Sequence, residues 1–158
     1  MEYQIRKIKA SDNAAIEQII RDCLIEFKAN HAGTAWEDAS LKCLSEAYHG
    51  EKSGYWVAID GYGTLVGGVG IAPITDNICE LQKLYCVKAV RGCGVAKDLL
   101  KIALTYAKEY YDVCYLETLT NMDAARHFYE KHGFKQIKEP VFNTNHFACD
   151  IHYLKELK

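Results

Sequence analysis

Apolar positions along the chain follow two periods, and the periods alternate. Tyr3–Ile8 reads as a strand. From Ser11 to Phe27, the residues Ile16, Ile19, Ile20, Cys23, Leu24 and Phe27 repeat at helical spacing behind a start rich in capping residues. "NHAGTAWEDAS" has turn residues and no period, so it reads as a loop. "LKCLSEAYHG" is a short helix closed by Gly50. "GYWVAIDGYGTLVGGVGIAPI" predicts two strands around the turn "DGYG", and "NICELQKLYCV" predicts another. Over residues 94–111, Val95, Ala96, Leu99, Ile102, Ala103, Tyr106, Ala107 and Tyr110 fall on one helical face. "VCYLETL" is the short apolar run of a buried strand. "TNMDAARHFYEKHGF" predicts a helix stopped by Gly133, with Thr120 or Asn121 as cap and Asp123 completing a capping box with Thr120. "FKQIK" and "HFACDIHYL" finish the chain as strands.

The predicted order is β-α-α-β-β-β-α-β-α-β-β. It implies an α/β (α+β) fold: a mixed, mostly antiparallel sheet of about seven strands flanked by four helices. The central β-α-β unit should be parallel with a right-handed crossover. With no linker, repeat or low-complexity tract, residues 1–158 are expected to form a single domain.

Composition narrows the function classes. Nineteen Lys and Arg against 21 Asp and Glu leave a net charge of -2, without the basic excess that non-specific nucleic-acid binding needs. The seven cysteines are odd in number and form no C-x-x-C pair, which points to reduced thiols in a cytoplasmic protein and to no metal site. The start "MEYQIRKIKA" lacks the apolar region of a secretory signal, and "LVGGVGIAPI" is too short for a membrane span.

One stretch carries chemistry. In "LYCVKAVRGCGVAKDLL" a strand gives way to a helix through Gly92 and Gly94, with Arg91 before them and Lys97 after. A helix start leaves about four N–H groups unpaired, and glycines let a phosphate approach them. A plain strand-to-helix turn has the same pattern. The stretch is not a P-loop, and Lys97 stands where a dinucleotide fingerprint has its third glycine. In Asn121–Phe134, one face carries Ala124, Ala125, Phe128 and Tyr129; alone this reads as a core helix.

Together, across one β-α-β unit, the two stretches resemble the GNAT superfamily of acyl-CoA-dependent N-acetyltransferases. The signature [RQ]-x-x-G-x-[GA] is matched by Arg91, Gly94 and Ala96. A helix of the type N-x-x-A-x-x-x-[FL]-Y-x-x-x-G-F is matched by Asn121, Ala124, Phe128, Tyr129, Gly133 and Phe134. Lys88 stands where many members have proline. The resemblance implies acetyl-CoA as acyl donor, its pyrophosphate held by N–H groups of Gly92, Cys93, Gly94, Val95, Ala96 and Lys97, with Arg91 shaping the loop. The pantetheine arm would follow Leu84, Tyr85, Cys86 and Val87, and Asn121, Ala124 and Phe128 would border it. A backbone N–H from residues 84–87 would face the developing oxyanion.

By the same resemblance, Glu80 would be the general base, directly or through water, or else a strand-end carboxylate or an anchor for a cationic acceptor. Strand alternation places Glu80, Gln82, Leu84 and Cys86 on one face. Tyr129 would be the acid at the leaving sulfur, or else a core tyrosine bonded to a carbonyl. An acyl-enzyme on Cys86 or Cys93 lacks a His–Cys motif. Trp36 and Glu37, with Asp38, could hold the acceptor amine or only serve as helix caps, and His146 borders the same pocket. The expected partners are a small-molecule amine and, as an assembly, a homodimer, with neither nucleic acid nor membrane. The alternatives are a protein or peptide amine acceptor, and a non-catalytic acyl-CoA-binding sensor or subunit.

Overall fold

The computed structural model describes residues 1–143 and 146–158. Strands β1 (Tyr3–Lys7), β2 (Gly54–Asp60), β3 (Leu65–Pro73), β4 (Ile78–Cys86), β5 (Val113–Thr118), β6 (Lys135–Ile137) and β7 (Ile151–Glu156) form one seven-stranded sheet in the order β1-β2-β3-β4-β5-β7-β6. Only β4 and β5 are parallel; every other neighbouring pair is antiparallel. The helices are α1 (Asn13–Glu26), the four-residue α2 (Leu44–Ala47), α3 (Val95–Tyr110) and α4 (Asp123–Lys131). Strand number, helix number and sheet type agree with the sequence pattern.

The sheet is covered on both faces. Ile16, Ile20 and Leu24 of α1 pack with Leu41, Leu44, Tyr55 and Val57 on one side. Leu99, Leu100 and Ala103 of α3 pack with Val69, Ile71, Cys79 and Cys114 on the other, where Phe128 and Tyr129 of α4 join them. Tyr3 of β1 donates to Asp98 in the first turn of α3, which ties that helix start to the far edge of the sheet. Among the described residues, no helix is long and apolar enough to cross a membrane.

Two irregularities position the site. The parallel ladder joins Ile78, Cys79 and Glu80 to Val113, Cys114 and Tyr115 and stops there. β4 runs on to Cys86 and β5 to Thr118, so the two strands splay and a cleft opens between them. The second irregularity lies on β4. Gly68 pairs with Tyr85 and Gly70 with Gln82, so Lys83 and Leu84 together oppose Val69 in a β-bulge, with Lys83 at φ +52°.

The bulge corrects the alternation expected from the sequence. Leu84 and Cys86 turn to the α3 side, while Glu80, Gln82, Lys83 and Tyr85 line the cleft. Other boundaries also move. The last strand begins at Ile151, not His146, because the segment before it is held by other partners: His146 by Asp38 and Asp150 by Thr120. Helix α4 starts at Asp123 behind Met122 with no side-chain cap. Thr120 bonds Asp150 and Asn121 bonds the Phe27 carbonyl, so neither expected cap serves the helix.

Candidate active site

At one mouth of the cleft lies the glycine turn. Gly92 (φ +80°) and Gly94 (φ +88°) are both left-handed, a conformation side chains resist. A Cβ on Gly92 would meet nothing within 4 Å, and one on Gly94 would meet only the Tyr3 hydroxyl at 3.7 Å. These glycines therefore do not relieve crowding inside the chain. They set the turn and leave the space above it open. Gly94 caps α3, and the N–H groups of Val95, Ala96 and Lys97 have no intrahelical acceptor. Cys93 N–H is spent on the Val90 carbonyl, so this one expected donor is already engaged.

Arg91 holds the turn in place. Its Nε and Nη2 donate to the Cys86 carbonyl at 3.2 and 3.1 Å. Its Nη1 and Nη2 meet the Glu26 carboxylate at 2.6 and 2.9 Å. The guanidinium lies 5.6 Å over the Phe27 ring. A planar five-donor group can make all of these contacts at once, whereas an ammonium could not. Arg91 thus joins the end of β4 to the end of α1, with its charge already paired.

From the turn the open edge of β4 leads into the cleft. Val87 N–H is taken by the Val66 carbonyl, and the Cys86 carbonyl by Arg91. These two groups are engaged within the chain, so an arm pairing along Leu84–Val87 would find its partners nearer the bulge. The α4 side of the cleft is lined by Met122, Ala125 and Tyr129. Asn121 and Ala124 are exposed on the neighbouring face, and Phe128 packs against His132 and Tyr129.

Glu80 sits where the ladder ends, 6% exposed. Burial is the largest influence on its carboxyl and raises it to about 7, with Glu117 pushing the same way; a hydrogen bond from Gln82 and the charges of His146 and Lys83 oppose the rise. Tyr129 lines the cleft on the opposite wall, and burial raises its phenol, so it stays protonated. Among the described residues its hydroxyl has no recorded hydrogen-bond partner, and the expected alternative of a bond to a nearby carbonyl is not seen. Cys86 is buried and its thiol is pushed up to about 12, which removes the thiolate an acyl-cysteine route needs.

The end of the cleft expected to take the acceptor differs from the sequence expectation. Trp36 stacks under Arg21, at 4.7 Å, on the outer side of α1, and Glu37 is exposed; neither lines the cleft. Asp38 turns inward instead. Its carboxylate meets Lys83 Nζ at 2.9 Å and His146 Nε2 at 2.8 Å. Two loops close over this end. Ala148 N–H donates to the Gly33 carbonyl at 2.9 Å, and a Cβ on Gly33 would stand 2.7 Å from the Phe147 ring.

Among the described residues, three ionisable lining residues were missed. Glu117 lies two positions beyond Tyr115, the β5 partner of Glu80, so a parallel register would have placed it on the cleft near Glu80. It accepts from the Tyr115 hydroxyl at 2.9 Å and has His152 at 3.6 Å. Lys83 was hidden by the bulge. Cys149 was hidden because its segment reads as strand; burial pushes its thiol up to about 12.

Comparison with known proteins identifies the family and the fold. A sequence model described as Acetyltransferase (GNAT) family matches residues 13–134. The chain is 37% identical to the Escherichia coli (strain K12) protein named uncharacterized N-acetyltransferase YjgM, over 97% of this chain and 94% of that one. A GNAT-family acetyltransferase from Staphylococcus aureus Mu50 superposes with a TM-score of 0.90 at 23% identity, covering 99% of this chain and 100% of the other. The PaiA N-acetyltransferase of Thermoplasma acidophilum, solved in complex with coenzyme A, superposes at 0.77 with 20% identity, covering 99% of each chain. With the glycine turn, the splayed strands and the Glu80–Tyr129 cleft in one fold, the chain belongs to the GNAT acetyltransferase family.

Proposed function

We propose that this protein transfers an acetyl group from acetyl-CoA to the amine of a small-molecule acceptor, by direct attack within a ternary complex. The observation that carries the reading is the pairing of two proton-handling groups on opposite walls of one cleft. Glu80 is held near neutrality and Tyr129 is held protonated. The residues present suit the donor: an open left-handed glycine turn with orphan N–H groups for phosphate, and an unpaired strand edge leading inward.

Acetyl-CoA supplies an activated thioester when bound. Glu80 takes a proton from the acceptor ammonium, because an alkyl amine near pKa 10.4 is almost wholly protonated at neutral pH. The freed nitrogen forms the new N–C bond as the C–S bond breaks, and it releases its second proton to solvent. Backbone N–H groups at the β4 bulge face the developing oxyanion. Tyr129 donates its hydroxyl proton to the departing sulfur, and solvent restores both groups.

A small acceptor is favoured by the Gly33–Ala148 contact and the His146–Asp38 bond, which close the acceptor end against a threaded peptide. The cleft-lining His146, held by Asp38, stands where Trp36 and Glu37 were expected. The test is acetyl-CoA turnover over a panel of small amines and peptide N-termini, with products separated by chromatography. Acetylated small amine, lost in Glu80→Gln, is expected. Tight acetyl-CoA binding with no product from any amine would instead favour a sensor.

A further inference from the structure

Glu80 does not stand alone. Gln82 Nε2 donates to its Oε1 at 2.6 Å, and the Tyr48 hydroxyl donates to Gln82 Oε1 at 2.5 Å. A carboxamide has one acceptor end and one donor end, so a donor at the oxygen fixes the NH2 group toward Glu80. Tyr48 follows α2 and is buried. Lys83, its side chain 6% exposed, lies 6.0 Å over the Tyr48 ring and pairs with Asp38.

The bulge makes this convergence possible. In a regular strand Gln82 and Lys83 would point to opposite faces; with Lys83 left-handed both turn to the cleft. The bulge is itself pinned, since the Tyr55 hydroxyl donates to the Lys83 carbonyl at 2.8 Å. The run "LVGGVG" on β3 fits beneath it. A Cβ on Gly70 would stand 2.9 Å from the Tyr48 ring, and one on Gly68 would stand 2.5 Å from the Tyr55 ring. The glycines make room for the two tyrosines that hold the bulge from below.

We propose that Tyr48 and Gln82 form a positioning relay for the base: they hold Glu80 Oε1 from within and leave Oε2 as the atom presented to the acceptor amine. The proposal rests on reading Glu80 as the base. The ionisable groups around Glu80 are Lys83 on β4, Cys114, Tyr115 and Glu117 on β5, Tyr48 after α2, and His146 and Cys149 before β7. Of these influences, the Gln82 hydrogen bond is the largest that favours the carboxylate.

The test is the titration of the Glu80 carboxyl carbon, followed by NMR in protein labelled at glutamate, for wild type, Tyr48→Phe and Gln82→Leu. Wild type should titrate near 7. Gln82→Leu should move the midpoint upward by about one pH unit, and Tyr48→Phe upward by about half as much, because the donor is lost or disordered. With acetyl-CoA and the best amine of the panel, the acid limb of kcat/KM should move by the same amounts while the KM for acetyl-CoA holds. A purely structural role would lower thermal stability and leave the midpoint in place, which overturns the relay. If Tyr48→Phe is folded and both midpoints equal wild type, the relay fails whether or not Glu80 is the base. If the midpoints shift but Glu80→Gln keeps full activity, the relay stands and the base assignment alone falls.

Discussion

Replacing Glu80 by Gln should change stability in a way that depends on pH. The carboxyl titrates at about 7 in the folded protein against an ordinary 4.5. At about 1.4 kcal/mol per pH unit, the fold favours the neutral acid by about 3 kcal/mol. Between the two values the folded chain keeps a proton that the unfolded chain has released. Stability therefore falls as pH rises, and the loss is complete once pH passes the folded value. Glu80→Gln keeps the shape and can still accept the Gln82 N–H, but it has no proton to lose. Relative to wild type it should gain about 3 kcal/mol between about pH 4.5 and about pH 8.

The measurement is urea unfolding of both proteins across that range, followed by tryptophan fluorescence. The same pair should diverge in activity. Wild-type kcat/KM should rise about tenfold per pH unit below 7 and then level, whereas Glu80→Gln should lack that limb and lie about 10²–10⁴ lower. A stability difference that does not change with pH would refute the burial-driven shift, and with it the supply of a base near neutrality. A shifted stability curve with unchanged turnover would leave Glu80 as a buried acid without a part in catalysis.

Three further outcomes follow from the site. Tyr129→Phe should keep the fold and the acetyl-CoA affinity but lower kcat by about 10²–10⁴, with a smaller loss for acyl donors whose thiol leaves more readily; an equal loss with every donor would reduce Tyr129 to packing. Gly94→Val should weaken acetyl-CoA binding by at least about tenfold in calorimetry and cost about 1–2 kcal/mol in unfolding, because φ +88° disfavours a β-branched side chain. Arg91→Lys should lower stability by about 1 kcal/mol, since one ammonium cannot hold both Glu26 and the Cys86 carbonyl and the pair is partly solvated.

The limits of the sequence pattern are physical and can be located. Period and turn chemistry reveal what is local: the strands of the sheet, the amphipathic α3, the glycine turn. They fail where one residue changes the count. A single left-handed Lys83 reverses the alternation of β4, so Leu84 and Cys86 leave the face that Glu80 occupies and Lys83 joins it. Nothing in "ELQKLYCV" marks that position, because lysine is not a residue that usually signals positive φ. The cause lies across the sheet, in Gly68, Gly70 and the two tyrosine rings they admit.

The proposed acceptor pocket was opaque for a related reason. Its walls come from segments far apart in sequence, and their side chains choose partners by distance, not by spacing. Asp38 and His146 are 108 residues apart yet share a hydrogen bond. Trp36, the residue with the most suggestive chemistry in its loop, is drawn to Arg21 on the outer surface of α1. The proposed donor side of the cleft has no such freedom, because a phosphate-binding turn must be built from consecutive backbone N–H groups and a strand edge from consecutive residues. The acyl-donor half of a GNAT site is therefore written along the chain, whereas the half that selects the amine exists only once the chain is folded.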